Sequence, residues 1–387
     1  MKRLGFIGYG LRSETMMKAF SGIAADIEVA AIADPNWQAL KPSLAADSRF
    51  QNTVYYEDAE QMLNNQPLDG VFIGTRCNLH ARYAQKVLEK SIPLFLEKPV
   101  CINEEQYLAL CKAGAKTNTP PVVVSFPLRF TCIVQHMKHL VDSGVLGDVV
   151  TVQAINNVPY GSVYYHSWYR NPDLTGGLFL QKATHDIDYI TYILGKHPVK
   201  VSAQTAKMHF KGERRENLRC QDCPEYHSCP ESSFVVKHYQ KSEPSGEWCC
   251  FAKDTGNEDV GAALFQCEDG TIISYHQVFL VKNNAGRRGA RFIGTKASAE
   301  FDFYTFELKV DYYDGKHTAI HQFEYPKGLY HFGGDEELAK EFMAVLNGSP
   351  SSVDLKEGLF SAGACLAAKK SACLQREVPI SYEWIHP

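Results

Sequence analysis

Apolar positions follow two different rhythms along the chain, and the rhythm changes near residue 121. Leu4 to Ile7 is a short apolar run that breaks into Gly8-Tyr9-Gly10-Leu11-Arg12-Ser13, after which Thr15, Met16, Ala19 and Phe20 recur at helical spacing. This predicts strand, tight turn, helix. A second apolar run, Val29 to Ala33, ends at Asp34. Helical spacing around Asp58 to Asn65, an apolar run over Gly70 to Gly74, a helix around His80 to Lys90 and a run over Pro93 to Leu96 follow. Strands and helices alternating in this way predict a doubly wound parallel α/β sheet, covered on both faces, over residues 1–121.

From about Pro121 the alternation has the period of strands. Val122 to Phe126 reads as a strand leading to Arg129-Phe130, then a helix to Ser143 and a turn at Gly144-Val145-Leu146-Gly147-Asp148. Further strands are predicted at Thr151 to Asn156, Val199 to Met208, Gly261 to Gln266, Thr271 to Val278, Arg291 to Gly294 and Ala299 to Phe303, joined by turns such as Glu268-Asp269-Gly270. Strands that succeed one another without helices imply an open, mostly antiparallel sheet, so residues 122–387 read as an α+β domain, with a cysteine-rich insertion at about 209–255.

The turn after the first strand carries chemistry. Gly8 and Gly10 let the backbone approach a pyrophosphate, whose charge then meets the free N–H groups of Leu11, Arg12 and Ser13 at the helix N-terminus. Ser13 stands where the third glycine of G-x-G-x-x-G would be, and its small side chain still permits close packing of helix on strand. Asp34 ends the second strand where an acidic residue accepts hydrogen bonds from ribose hydroxyls and repels a 2'-phosphate. NAD is therefore favoured over NADP, although Arg12 could meet a phosphate. The other strand ends also carry polar groups, Thr75 and Glu97-Lys98-Pro99, and ligands of such sheets bind at those ends.

In the second half the most informative stretch is Gly176 to Tyr189. Read as a helix, it puts Lys182, His185, Asp186 and Tyr189 on one face. An imidazole and an ammonium pointing the same way can move a proton. His331 and Asp335 in His331-Phe332-Gly333-Gly334-Asp335 precede a helix, where Asp335 either bonds a sugar hydroxyl or caps the helix. Tyr160, Trp168, Tyr169 and Arg170 form an aromatic-rich loop suited to a sugar or to an oligomer interface.

Composition narrows the partners. The 387 residues hold 40 basic and 44 acidic side chains, a net charge of −4, and nothing in that balance attracts a nucleic acid or an anionic lipid. With 45% hydrophobic residues and no apolar run of roughly 18 residues, the chain reads as a cytoplasmic two-domain protein with a cleft, without a membrane partner. Five of its 12 cysteines lie between positions 220 and 250. Cys220, Cys223, Cys229 and Cys250 read as ligands of a structural zinc, with Cys249 or His227 as substitutes for the last, against a redox pair or free thiols.

With Glu97-Lys98-Pro99, the glycine turn, Thr75-Arg76-Cys77-Asn78-Leu79-His80 and the His185 and His331 segments, the chain resembles the Gfo/Idh/MocA family of NAD(P)-dependent oxidoreductases over nearly its whole length. The resemblance implies an open sheet closing over the nicotinamide, a homo-oligomer (dimer or tetramer), and a lysine, here Lys98, beside nicotinamide and substrate, followed by a proline bond that is often cis. It implies Thr75, Arg76, His80, Glu97 and Lys98 near the cofactor, and Lys98, Arg129, Trp168, Lys182, His185, Asp186, His331 and Asp335 near the substrate. Two departures stand out: Thr75-Arg76 replaces Thr-Pro, with Arg76 reaching either a cofactor phosphate or a substrate hydroxyl, and Gln181 replaces the aspartate four residues before the histidine. The function implied is hydride transfer between NAD and a hydroxyl carbon of a sugar, glycoside or cyclitol, with His185 or Lys182 as base. Glycoside cleavage through transient oxidation, and a non-catalytic NAD sensor, are the alternatives.

Overall fold

The computed structural model describes residues 1–116 and 118–382. Six parallel strands make the first sheet: β1 (Lys2–Ile7), β2 (Ile27–Ala33), β3 (Val54–Tyr56), β4 (Gly70–Ile73), β5 (Leu94–Leu96) and β6 (Val122–Val124), in the order β3-β2-β1-β4-β5-β6. Their apolar runs are buried on both faces, as a sheet covered by helices requires. The order reverses direction at β1, so the C-terminal ends of β1 and β4 flank the crevice in which such sheets receive ligands. Gly8 sits there with φ +79°, and a Cβ on it would lie 2.9 Å from the Thr75 backbone.

The sixth strand corrects the expected boundary. Val122 to Val124, expected to open the second domain, pairs in parallel with β5, Leu94 opposite Val122 and Leu96 opposite Val124. Three consecutive valines, all buried, are the mark of a parallel strand rather than of one with a wet face.

The second sheet has nine strands: β7 (Val149–Asn157), β8 (Pro198–Ala206), β9 (Val260–Cys267), β10 (Ile272–Val278), β11 (Arg287–Gly294), β12 (Ala297–Asp302), β13 (Glu307–Tyr312), β14 (Thr318–Gln322) and β15 (Val378–Pro379). Their order is β14-β13-β12-β11-β7-β10-β9-β8-β15, and every pair is antiparallel except β7 with β10. Alternate residues such as Val152, Ala154, Phe265, Ile273, Tyr275 and Phe292 point into a core shared with the helices Cys132–Asp142 and Thr184–Leu194.

The helix Leu355–Leu374 joins the two cores. It is rich in Ala, Gly and Cys and buried along most of its length, so it shows little contrast between faces. Leu359 and Phe360 belong to the first core and Ala364, Cys365 and Ala368 to the second. A Cβ on Gly358 would stand 2.9 Å from Val100 and from Val124, so close packing on β6 needs the glycine.

Candidate active site

The cofactor end is built around the glycine turn. Gly8 N–H donates to Ala33 O, Ser13 Oγ donates to Gly8 O at 2.8 Å, and the Asp34 carboxylate accepts from the N–H of Tyr9 at 2.9 Å and of Asn36 at 2.8 Å. Asp34 thus braces the turn and keeps lone pairs for a further donor. The helix Leu11–Gly22 begins at Gly10 without a side-chain cap, Leu11 is exposed, and a Cβ on Gly10 would meet nothing within 4 Å. Uncapped N–H groups facing open space beside a braced carboxylate fit a dinucleotide: pyrophosphate at the helix start, ribose at Asp34.

Four residues expected at the cofactor have partners within the protein. Arg12 turns inward, its Nε donating to Glu97 at 2.9 Å, its two terminal nitrogens to Asp335 at 3.1 Å each, and Nη2 to Ser125 Oγ at 3.2 Å. Its charge is paired with two buried carboxylates, Glu97 and Asp335. His80 is buried, with Nδ1 2.8 Å from Pro99 O and Nε2 3.2 Å from Thr75 O, so it ties the Lys98-Pro99 corner, a cis bond, to the β4 end. Arg76 is exposed and lies over the Trp168 ring at 3.7 Å, and Trp168 in turn stacks on Tyr169 at 3.8 Å.

Lys98, at the end of β5, crosses to the second domain: its Nζ donates to Gln181 O at 2.8 Å. Burial and the charge of Lys182 push the Lys98 ammonium down to about 7, which places its proton exchange at neutral pH. The stretch Phe179–Ala183 winds as a wider π-turn before the α-helix Thr184–Leu194. That turn adds a residue to the spiral, and the single face expected for Lys182, His185 and Asp186 divides. Lys182 bonds Tyr160 OH at 2.6 Å. His185 packs 5.4 Å from the His331 ring and 6.2 Å from Phe126, and its Nδ1 has no hydrogen-bond partner among the described residues. Burial, with Lys98, His331, Arg288 and Lys182 around it, holds the imidazole well below its ordinary value, hence neutral.

Asp186 is corrected from substrate contact to support. It is fully buried and accepts from Asn156 at 2.7 Å, Tyr275 OH at 2.8 Å and Arg288 Nε at 2.7 Å, facing the sheet. Arg129 is likewise buried, bonded to Asp188, to Glu357 at 2.7 Å and to Ser352 O at 3.1 Å, so its donors are engaged within the protein. His331 and Asp335 do meet the site. His331 Nδ1 lies 3.0 Å from Asp335, and although burial alone would raise that carboxyl, His331 and Arg12 hold it below the usual carboxylate range. The helix that follows starts at Gly334 with Gly333 before it, so Asp335 is not its N-cap.

Arg288 and Ser125 went unnoticed in the sequence. Arg288 is one of two adjacent arginines on a strand, and alternation alone does not say which of them turns inward.

The cysteines expected to hold zinc gather in the insertion without forming a metal-ligand group among the described residues. Cys220, Cys223, Cys229, Cys249 and Cys250 line one small cavity, yet among the described residues no three His, Cys, Asp or Glu side chains are grouped so as to hold a metal. Cys223 Sγ accepts from Arg214 at 2.9 Å, while Cys249 and Cys250 pack into two separate apolar clusters. His227 stands edge-on to Phe234 at 4.4 Å. Polar bonds order the insertion instead: Asp259 accepts the N–H groups of Met208, His209 and Phe210 at 2.6–2.7 Å, and Arg170 donates to Asp254 and Thr255.

Comparison with known proteins settles the lineage. Residues 2–126 match the model described as oxidoreductase family, NAD-binding Rossmann fold, and residues 134–300 match the GFO/IDH/MocA C-terminal domain. The chain belongs to the Gfo/Idh/MocA family. Among curated relatives, inositol 2-dehydrogenase of Rhizobium meliloti (strain 1021) is 27% identical over 204 residues, 53% of this chain and 58% of that protein. Rhizopine catabolism protein MocA of Rhizobium meliloti is 23% identical over 54% of this chain and 62% of its own length. The chain thus spans about three fifths of the curated relatives it matches. Levoglucosan dehydrogenase in complex with NADH superposes with a TM-score of 0.77 at 18% identity, covering 98% of this chain and 99% of that one. Myo-inositol 2-dehydrogenase from Lactobacillus plantarum gives 0.72 at 16% identity, with 98% and 99% covered. These two likenesses concern the fold. No helix among the described residues is long and apolar enough to cross a membrane.

Proposed function

We propose that the protein is an NAD-dependent oxidoreductase that moves a hydride between nicotinamide and a hydroxyl-bearing carbon of a sugar, glycoside or cyclitol. The observation that carries this reading is the meeting of Lys98, from the nucleotide sheet, with the turn that holds Gln181, Lys182 and His185. The bond joins the end of a dinucleotide-type sheet to a pocket of proton-exchanging groups, where a hydroxyl and a nicotinamide would have to meet. When bound, NAD supplies the hydride acceptor. The chain's own residues do the rest: the glycine turn and Asp34 hold the dinucleotide, and Lys98 donates to the reacting oxygen and favours its alkoxide character. His185 and His331 shape the pocket around that oxygen, and Trp168 offers a flat face to sugar C–H groups. Asp34 supports NAD over NADP.

The relatives' names motivate the substrate class, and the test follows from them. The protein is incubated with NAD, or NADP in parallel, and a panel that includes myo-inositol and levoglucosan, while NADH absorbance is followed. Steady NADH formation that disappears in Lys98→Met is expected. Product formation without NADH would favour glycoside cleavage through transient oxidation, and no turnover with any polyol or glycoside would remove the reading. A homo-oligomer through the open face of the second sheet, where Val150, Leu264 and Ile272 are exposed, belongs to the same proposal and is checked by sedimentation.

A further inference from the structure

A dehydrogenase must take a proton from the hydroxyl it oxidises, and the pocket holds several titratable groups. His185 is a poor acceptor: burial and the groups that act on it most strongly, Lys98, His331, Arg288 and Lys182, all disfavour an imidazolium, and the nearby Asp335 is bonded to His331 and Arg12. Lys182 is a buried ammonium, 5% exposed, with no carboxylate within ion-pair distance among the described residues. A buried cation without a counter-ion is expensive to hold. Its Nζ donates to the hydroxyl of Tyr160 at 2.6 Å and also lies 4.7 Å from the centre of that ring. Tyr160 lies on the loop after β7 and is 48% exposed as a residue, with its hydroxyl end turned inward to the buried Lys182.

From this geometry we infer that Tyr160 is the group that takes the substrate's hydroxyl proton, with Lys182 as its positioning cation; the inference rests on the dehydrogenase reading above. The balance is complete. The O–H bond breaks toward the Tyr160 phenolate, the C–H electron pair leaves as hydride to the bound nicotinamide, and the C=O bond forms. The phenol then returns its proton to water, which regenerates the phenolate. The surroundings agree. Burial raises the Tyr160 phenol, but Lys182 and Arg288 outweigh it and hold the group below its ordinary value, with Asp186 opposing. Arg288 is bound by Asp186, which limits its pull, and the other ionisable neighbours, Tyr164 and Tyr304, are phenols whose own protons are held more tightly than usual. In sequence Tyr160 is only one aromatic residue in an aromatic loop, and no spacing rule links it to Lys182.

The test reads the phenol directly and does not require the substrate to be known. Tyrosinate absorbance of the full chain is titrated with and without NAD, and the curve of Tyr160→Phe is subtracted from that of the wild type. One tyrosine of the 20 is expected to ionise below the free value of about 10. Lys182→Met should return that midpoint to about 10 or above, and Lys182→Arg should keep it low. A wild-type midpoint at or above about 10, or one unmoved by Lys182→Met, overturns the inference whether or not any polyol is turned over. With a turned-over polyol, Tyr160→Phe should lower kcat about 10²–10⁴-fold at unchanged NADH affinity and flatten the rise of kcat/KM with pH. A Tyr160→Phe enzyme with the wild-type rate and pH profile overturns it as well.

Discussion

Arg12→Met tests whether the arginine of the glycine turn is a structural tie or a cofactor contact. In the native chain its guanidinium bonds three partners from three elements: Glu97 at the end of β5, Ser125 just after β6, and Asp335 in the helix Gly334–Leu346. The side chains of Glu97 and Asp335 are each 5% exposed, so methionine would strip Glu97 of its ion-pair partner and leave Asp335 with His331 alone. Removing one partner of a buried ion pair costs about 3–5 kcal/mol. That range corresponds to a shift of roughly 10²–10⁴ in the folding equilibrium. Urea unfolding at pH 7, followed by tryptophan fluorescence and far-ultraviolet circular dichroism, measures it. Since the penalty comes from stranded charge rather than lost contact, the triple variant Arg12→Met, Glu97→Gln, Asp335→Asn should recover most of the loss. The reasoning fails if Arg12→Met lies within about 1 kcal/mol of wild type, inside the range of ordinary surface substitutions, or if the triple variant is no more stable than the single one.

Other expectations follow from the same geometry. Asp335 is held below the usual carboxylate range, so the stability it contributes is present above about pH 4 and is lost as pH falls toward its folded value. Asp335→Asn should therefore be less stable at pH 7 yet flatter in acid urea titrations than wild type. Arg129→Met, which strands the buried Asp188, should destabilise by about 3–5 kcal/mol while leaving the KM of any turned-over polyol unchanged in the folded fraction. Gly8→Ala places a methyl 2.9 Å from Thr75 in a left-handed backbone conformation and should abolish NADH binding in fluorescence titration.

The nucleotide half of the chain was easy to read because its signals are local. Apolar runs ending in glycine or a carboxylate define β1, β2 and the turn between them, and the structure places those elements within a few residues of expectation. The site was legible in part. Lys98, His185, Lys182, His331 and Asp335 do converge, but which way each points was set by features without a sequence period: the π-turn before Thr184 and the inward swing of Arg12. Arg129 and Asp186 misled because a buried ion pair and a ligand contact use the same residue types. The cysteine spacing carries less far: C-x2-C restricts two thiols, but whether others join them depends on loops ordered by Asp259 and Arg170. The helix Leu355–Leu374 gave no pattern because both of its sides are interior.

That helix also sets an order of events during synthesis. The flank of the first sheet formed by Val100, Tyr107 and Val124 packs against Gly358, Leu359 and Gly363, which leave the ribosome some 230 residues after β6. At roughly 5–20 residues per second, on the order of ten seconds or more separates the two. Through that interval the nascent nucleotide domain carries a bare apolar flank, and it completes its fold only when the far end of the chain returns to it.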